Sequence, residues 1–303
     1  MGIDCFCEDY SGRDEGMNVQ GCDCSIVIKT AYREMDVPYS EETLREAVSI
    51  LKEEAPIEGD GVCGCISKSN GVTGCVITPL TIGTVPLLLY LAMGSSDMPV
   101  FVSETRNLYR HSLNLLPFED GPRFDLVQAR GDGKWLYEGC GVKAFELRIQ
   151  REEAIKLKLD ISGEQKPVNY PYIEKAETED GERFSGDFVT YKINGKEYKN
   201  IYGLVLAARK EEGTKTELWI KRSLETDAEI PHLIDELSIT AQLFREKYEY
   251  RHFGVFRITI TRLVLASDET TINSPDAVIG PMRYYVAGTV KAEVFSFGEG
   301  CLE

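Results

Sequence analysis

Two stretches decide the fold: RFDLVQARGDGKWLYE (123–138) and VKAFELRIQREEAIKLKLDI (142–161). Within the second, Lys156, Lys158 and Asp160 alternate with Leu157, Leu159 and Ile161. That period of two places one set on each face of a strand. The first stretch predicts a hairpin of 123–130 and 134–138 around Gly131-Asp132-Gly133, and the second a hairpin of 142–150 and 154–161. The same period begins near residue 107, where Leu108, Arg110, Ser112 and Asn114 alternate with Tyr109, His111, Leu113 and Leu115. A third hairpin is expected from 186–193 and 196–210, because Asn194-Gly195 supplies the positive φ of a tight turn. Further strands are expected at 24–30, 72–80, 216–223, 255–265 and 283–297, while 232–247 reads equally as helix or strand.

Two segments depart from this period. Residues 40–55 predict an amphipathic helix, with Ser40 as N-cap, Glu41 and Glu42 in the first turn and Pro56 beyond its end. Leu44, Ala47, Val48 and Leu51 then fall at i, i+3, i+4 and i+7. Residues 85–93, preceded by Thr84 and ended by Gly94, predict a short helix that is apolar all round and therefore buried. The expected fold is mainly β (α+β): a barrel or sandwich of antiparallel strands with one lateral amphipathic helix and one short buried helix. Residues 1–21, Gly-rich and acidic, read as a flexible N-terminal arm, and 22–303 as a single elaborated β domain. The polar segment 163–186 is a long loop that suits either a binding element or a surface insertion.

The chain has 303 residues, 34 basic and 50 acidic, for a net charge of −16. This argues against a protein that wraps nucleic acid through a basic surface, and against docking on anionic lipid. The most apolar run, 85–93, has nine residues and contains Pro86, whereas a membrane-spanning helix needs about 20. Acidic residues Asp4, Glu8 and Asp9 stand where a signal peptide would be basic and apolar, so none is expected.

Nine cysteines include three C-x-C pairs, Cys5/Cys7, Cys22/Cys24 and Cys63/Cys65. The odd count fits free thiols in a reducing compartment. Two pairs at one site would give four thiolates for zinc, although the usual spacing is longer, and zinc and simple apolar filling both stay open. No phosphate-binding loop, dinucleotide fingerprint or nucleophile elbow occurs. The three histidines are His111, which reads as a strand residue, His232, and His252 among aromatics. Asp187 with Glu197-Tyr198-Lys199 is the one pattern reminiscent of a metal-dependent nuclease, where two carboxylates hold Mg²⁺ and a lysine polarises water. The Asn194-Gly195 turn explains the same residues as an exposed hairpin rim. Fifteen tyrosines, among them Tyr170, Tyr172, Tyr198, Tyr202, Tyr248, Tyr250, Tyr284 and Tyr285, suit either interface contact or cross-strand pairing.

Four stretches carry a resemblance: KTAYREMDVPYSEE (29–42); GVTGCVITPL (71–80) leading to VPLLLYLAMG (85–94); residues 110–164, with Tyr137, Gly139 and Cys140 as a Y-x-G-C step; and SPDAVIGPMRYYVAGTVKAEVFS (274–296). In their order they resemble the tail tube proteins of long-tailed bacteriophages and related prophages. The cysteine-rich first 65 residues, the 163–186 loop and the acidic 178–183 stretch depart from that pattern. The resemblance implies a structural subunit rather than an enzyme, with no catalytic, cofactor-binding or metal residues and no cofactor. It implies self-assembly into stacked, hexameric rings whose merged sheets form a tube. The partners implied are further copies, a tape measure protein, a terminator and a sheath. DNA would pass through the lumen without sequence-specific binding, and an acidic wall suits that. The implied location is the virion tail, after assembly in the host cytoplasm, with no membrane contact. Contrasting readings are a metal-dependent nuclease or hydrolase and a β-sandwich ligand-binding module.

Overall fold

The computed structural model describes residues 24–30, 34–52, 65–96, 100–103, 108–117, 120–130, 133–164, 168–170, 182–210, 214–223, 229–243, 253–268 and 279–297. The arm expected at 1–21 lies outside them. In chain order the first strands are β1 (Cys24–Lys29), β2 (Glu34–Asp36), β3 (Glu41–Glu42), β4 (Arg45–Lys52) and β5 (Cys65–Pro79). Helix α1 (Val85–Met93) follows, then β6 (Gly94–Ser96), β7 (Val100–Ser103), β8 (Leu108–Leu115), β9 (Phe124–Arg130), β10 (Gly133–Gln150), β11 (Lys156–Gly163) and β12 (Val168–Asn169). The remaining strands are β13 (Val189–Ile193), β14 (Lys196–Glu197), β15 (Ile201–Lys210), β16 (Thr214–Ser223), β17 (Leu233–Leu243), β18 (Phe253–Asp268), β19 (Ile279–Val286) and β20 (Val290–Phe297). The protein is mainly β and antiparallel, with α1 as the one α-helix among the described residues.

The main path of pairings runs β5–β11–β10–β15–β16–β19–β18–β20–β8. Two long strands act as corners, because each changes partners partway along its length. β10 pairs with β9 and β12 through its first half and with β11 and β15 through its second. The change falls at the Y-x-G-C step, where the register shifts between Tyr137 and Cys140. Gly139 sits there at φ 64, a conformation that glycine adopts without steric cost. Its N–H donates to the Asp125 carboxylate at 2.9 Å. β18 gives one edge first to β20, at 256–260, and then to β19, at 263–268. Thr261 N–H to Thr289 O (3.0 Å) and Ala287 N–H to Arg262 O (2.8 Å) lock that transition. Strands that switch sheets at bulges are how two layers join at a corner.

Alternation fills the interior. On β11, Leu157, Leu159 and Ile161 are buried while Lys156, Lys158 and Asp160 point outward, as their spacing requires. Helix α1 is buried at every residue except Tyr90. It packs against β8, β10 and β20, so the apolar run is core.

Three expectations need correction. Residues 40–55 do not form a helix: Glu41–Glu42 and Arg45–Lys52 are strands paired with β5. Helix nucleation is costly, and the long edge of β5 satisfies the same backbone groups at once. Ser40, read as an N-cap, instead donates its hydroxyl to Ile77 O at 3.2 Å. Glu42 is held by Gln128 at 2.8 Å and by an ion pair with Arg130. Residues 53–55 lie outside the described set.

The 163–186 segment is also not simply a loop. Val168–Asn169 pairs with β10, and Phe184 is core at 1% exposure, its N–H bonded to Leu80 O at 2.9 Å. Finally, the hairpin at Asn194-Gly195 forms with both residues at positive φ, but its second arm ends after Glu197. β15 then joins β10 and β16 instead of β13. The ambiguous 232–247 region resolves as β17 through residue 243.

Candidate interaction surface

The nuclease-like residues are not brought together. The Asp187 carboxylate accepts the Glu152 N–H at 2.9 Å and the Ser185 hydroxyl at 3.1 Å, holding a tight turn. Glu197 faces Lys192 across the β13–β14 pair. Asp187 sits in the 3₁₀ turn Gly186–Phe188, and Lys192 lies three steps beyond Val189 along the strand, so the turn and about 10 Å of strand stand between Asp187 and the Glu197 pairing position. Lys199 is exposed and its carbonyl accepts from Arg151 at 2.6 Å. His111 is buried on β8, where burial pushes its pKa down, and His232 is exposed. His252 lies outside the described residues.

Among the described residues no three His, Cys, Asp or Glu side chains gather as metal ligands. Of the C-x-C cysteines, only Cys24 and Cys65 fall in described strands, and the pairs themselves fall outside. Cys140 is buried at the β10 corner, and burial pushes its thiol up to about 12, with Asp125 adding to the shift. Such a thiol is a core filler.

The tyrosines divide. Tyr284 is fully buried and donates to Pro231 O at 2.9 Å, and Tyr198 is buried as well. Tyr170 accepts from the Lys29 ammonium at 3.0 Å, and that ammonium also lies 4.8 Å from its ring centre. Tyr285 is 43% exposed and belongs to a continuous surface. Tyr172, Tyr248 and Tyr250 lie outside the described residues.

That surface is the outer face of β11–β10–β15–β16–β19–β18–β17. Leu233, Val264 and Tyr285 lie in register on three neighbouring strands and are 60%, 45% and 43% exposed. Next to them Arg283 stacks on Trp219 and Tyr285, with its guanidinium carbon 5.7 and 5.4 Å from the two ring centres. Arg283 and Lys215 both bind Glu217, at 2.6 and 3.3 Å. Burial pushes the Glu217 carboxyl up, but these two cations more than reverse the effect, so it titrates below the usual carboxylate range. Exposed apolar side chains beside an aromatic–arginine cluster are the chemistry of protein contact surfaces.

Across the same face runs a groove of about 430 Å³. Its floor is β15, where Gly203 and Val205 face outward. Its walls carry both signs of charge: Glu146, Arg148, Glu153 and Lys156 on one side and Lys221 on the other, with Arg148 ion-paired to Glu146. The period of two on β11 and β10 foretells these cations; the groove between them depends on the pairing of strands far apart in sequence. No protein-family model matches the chain, and no curated protein is similar to it in sequence.

Proposed function

We propose that this chain is a structural, self-assembling subunit of a bacteriophage tail tube, in which hexameric rings stack around a lumen that conducts DNA. The observation that carries the reading is the β4 edge. Among the described residues β4 pairs only with β5, and in this reading its other edge, eight residues and roughly 26 Å long, pairs with a neighbouring copy. An open strand edge is a template for the edge of another copy, and ring closure removes the edges that would otherwise aggregate. Arg45 and Glu46 on that strand are exposed and charged, which keeps the separate subunit soluble. The net charge of −16 suits a wall that repels phosphate. The further partners proposed are a tape measure, a terminator and a sheath, and the location proposed is the virion tail.

Negative-stain electron microscopy of the concentrated protein, beside a sizing run, tests this. Rings or hollow tubes of uniform width are expected. A monomer that persists with β4 intact at the highest accessible concentration, with or without seeding by preformed tails, overturns it.

A further inference from the structure

β4 is a strand whose partner does not fix its position firmly. β5 carries two glycines at positive φ, Gly71 (97) and Gly74 (151), and only Arg45 and Glu46 pair with the residues between them, Thr73 and Val72. The register then shifts between Glu46 and Val48. Ladder hydrogen bonds accept any side chain, so a bulged template interrupted by glycines specifies register weakly.

The placement comes instead from β9. Where β3 gives way to β4, side chains take both backbone groups of Leu44: its N–H donates to Glu42 Oε2 at 3.1 Å, and its carbonyl accepts from Arg130 at 3.3 Å. Glu42 is in turn gripped from β9. The Gln128 amide donates to Oε2 at 2.8 Å, and Arg130 forms an ion pair with Oε1. On β10 the Tyr137 hydroxyl donates to Gln128 Oε1 at 3.3 Å, which turns the amide nitrogen toward Glu42. Gln128 and Tyr137 are buried, and the Glu42 side chain is only 10% exposed. Taking a carboxylate out of water is costly, so such a pair stabilises little beyond an apolar residue of the same volume; its best-attested use is to select one register among several. β9 is a firm base for that grip, since it pairs with β1 on one side and β10 on the other.

We infer that Glu42 is the positioning residue of the assembly edge. Held by Gln128 and Arg130, its carboxylate sets the register and angle of β4, and so the line of donors and acceptors that β4 presents to a neighbouring copy. The inference rests on the self-assembly reading for its purpose and on these hydrogen bonds for its mechanism.

The test is amide hydrogen exchange of the full chain, read by mass spectrometry, with microscopy of the same samples. Glu42→Gln and, separately, Gln128→Leu are compared with the parent and with Phe184→Ala, a core substitution outside the network. Peptides covering 45–52 are expected to exchange about 10- to 100-fold faster in both network variants, the loss that follows removal of a charge-assisted hydrogen bond, while β15 and β16 keep parent rates. Glu42→Gln, which keeps the side chain's shape, decides the case if Gln128→Leu does not fold. Rings or tubes formed by the parent are lost in Glu42→Gln although that variant stays folded. Unchanged exchange in 45–52, an equal rise in Phe184→Ala, or normal tubes from Glu42→Gln overturns the inference, and the tube reading stands wherever the parent forms tubes. A parent that forms neither rings nor tubes, with 45–52 loosened in Glu42→Gln, refutes the tube reading alone.

Discussion

Gly74→Ala is the substitution that bears most directly on both fold and assembly. Gly74 lies in β5 at φ 151, where β3 gives way to β4 on the neighbouring edge. A Cβ there would stand 2.4 Å from Thr43 O and 2.7 Å from Leu44 Cα, both backbone atoms. To reach ordinary contact the 43–44 segment must retreat by about 1 Å. Two hydrogen bonds depend on its position: Thr43 N–H to Cys75 O at 2.9 Å and Cys75 N–H to the Thr43 hydroxyl at 3.0 Å. At about 1 kcal/mol each they contribute about 2 kcal/mol. Part of the burial of Leu44, which is 1% exposed, is lost with them, for about 1–2 kcal/mol more. Backbone strain adds about 1 kcal/mol. The expected loss of about 4–5 kcal/mol lowers Tm by roughly 10–15 °C for a domain of this size. Because β4 detaches with the segment, the proposed assembly into rings or tubes is expected to be lost even below Tm. Circular-dichroism melts and microscopy on the same preparation measure both effects. A variant with unchanged Tm and normal assembly refutes the reasoning, since a helical 40–55 segment would not place backbone against Gly74.

Phe184→Ala removes a core ring that meets Phe256 edge-on at 5.0 Å and costs about 3–5 kcal/mol in urea unfolding, whereas Glu197→Ala on the exposed rim changes stability by less than about 0.5 kcal/mol. Burial lowers the His111 pKa in the folded state, so the unfolded chain binds the extra proton first. Stability is therefore full above the unfolded value near 6.5 and falls as pH drops below it; urea melts at pH 7.5 and 5.5 show a smaller difference in His111→Gln than in the parent. At pH 8 the Cys140 thiol, pushed up to about 12, stays protonated and buried, so iodoacetamide followed by mass spectrometry labels the half-buried Cys75 before Cys140.

The β class was legible because alternation survives wherever one face is buried. Lys156 to Ile161 reads the same in the sequence and in β11. The apolar run at 85–93 was equally legible, since eight buried residues in nine leave no solvent-facing choice. Residues 40–55 misled because Leu44, Ala47, Val48 and Leu51 satisfy a helical period on paper, while the outcome depended on a partner strand whose paired residues lie 13 to 28 positions further on. Nothing local in 182–186 announced Phe184 as core, because its neighbours Leu80 and Ile155 come from other strands. The groove was half legible: its lysines follow from strand alternation, but its floor required β15 to leave the Asn194-Gly195 hairpin and insert between β10 and β16.

By itself, then, the sequence determined which residues alternate, which run must be covered, where the tight turn forms and that the chain is acidic. These are set by short-range sterics and by the cost of leaving apolar surface in water. Only the tertiary structure decided which edges stay open, where β10 and β18 turn their corners, and which cations meet around Gly203. Those depend on the pairing of distant strands, whose backbone hydrogen bonds satisfy any sequence and so leave no local signature.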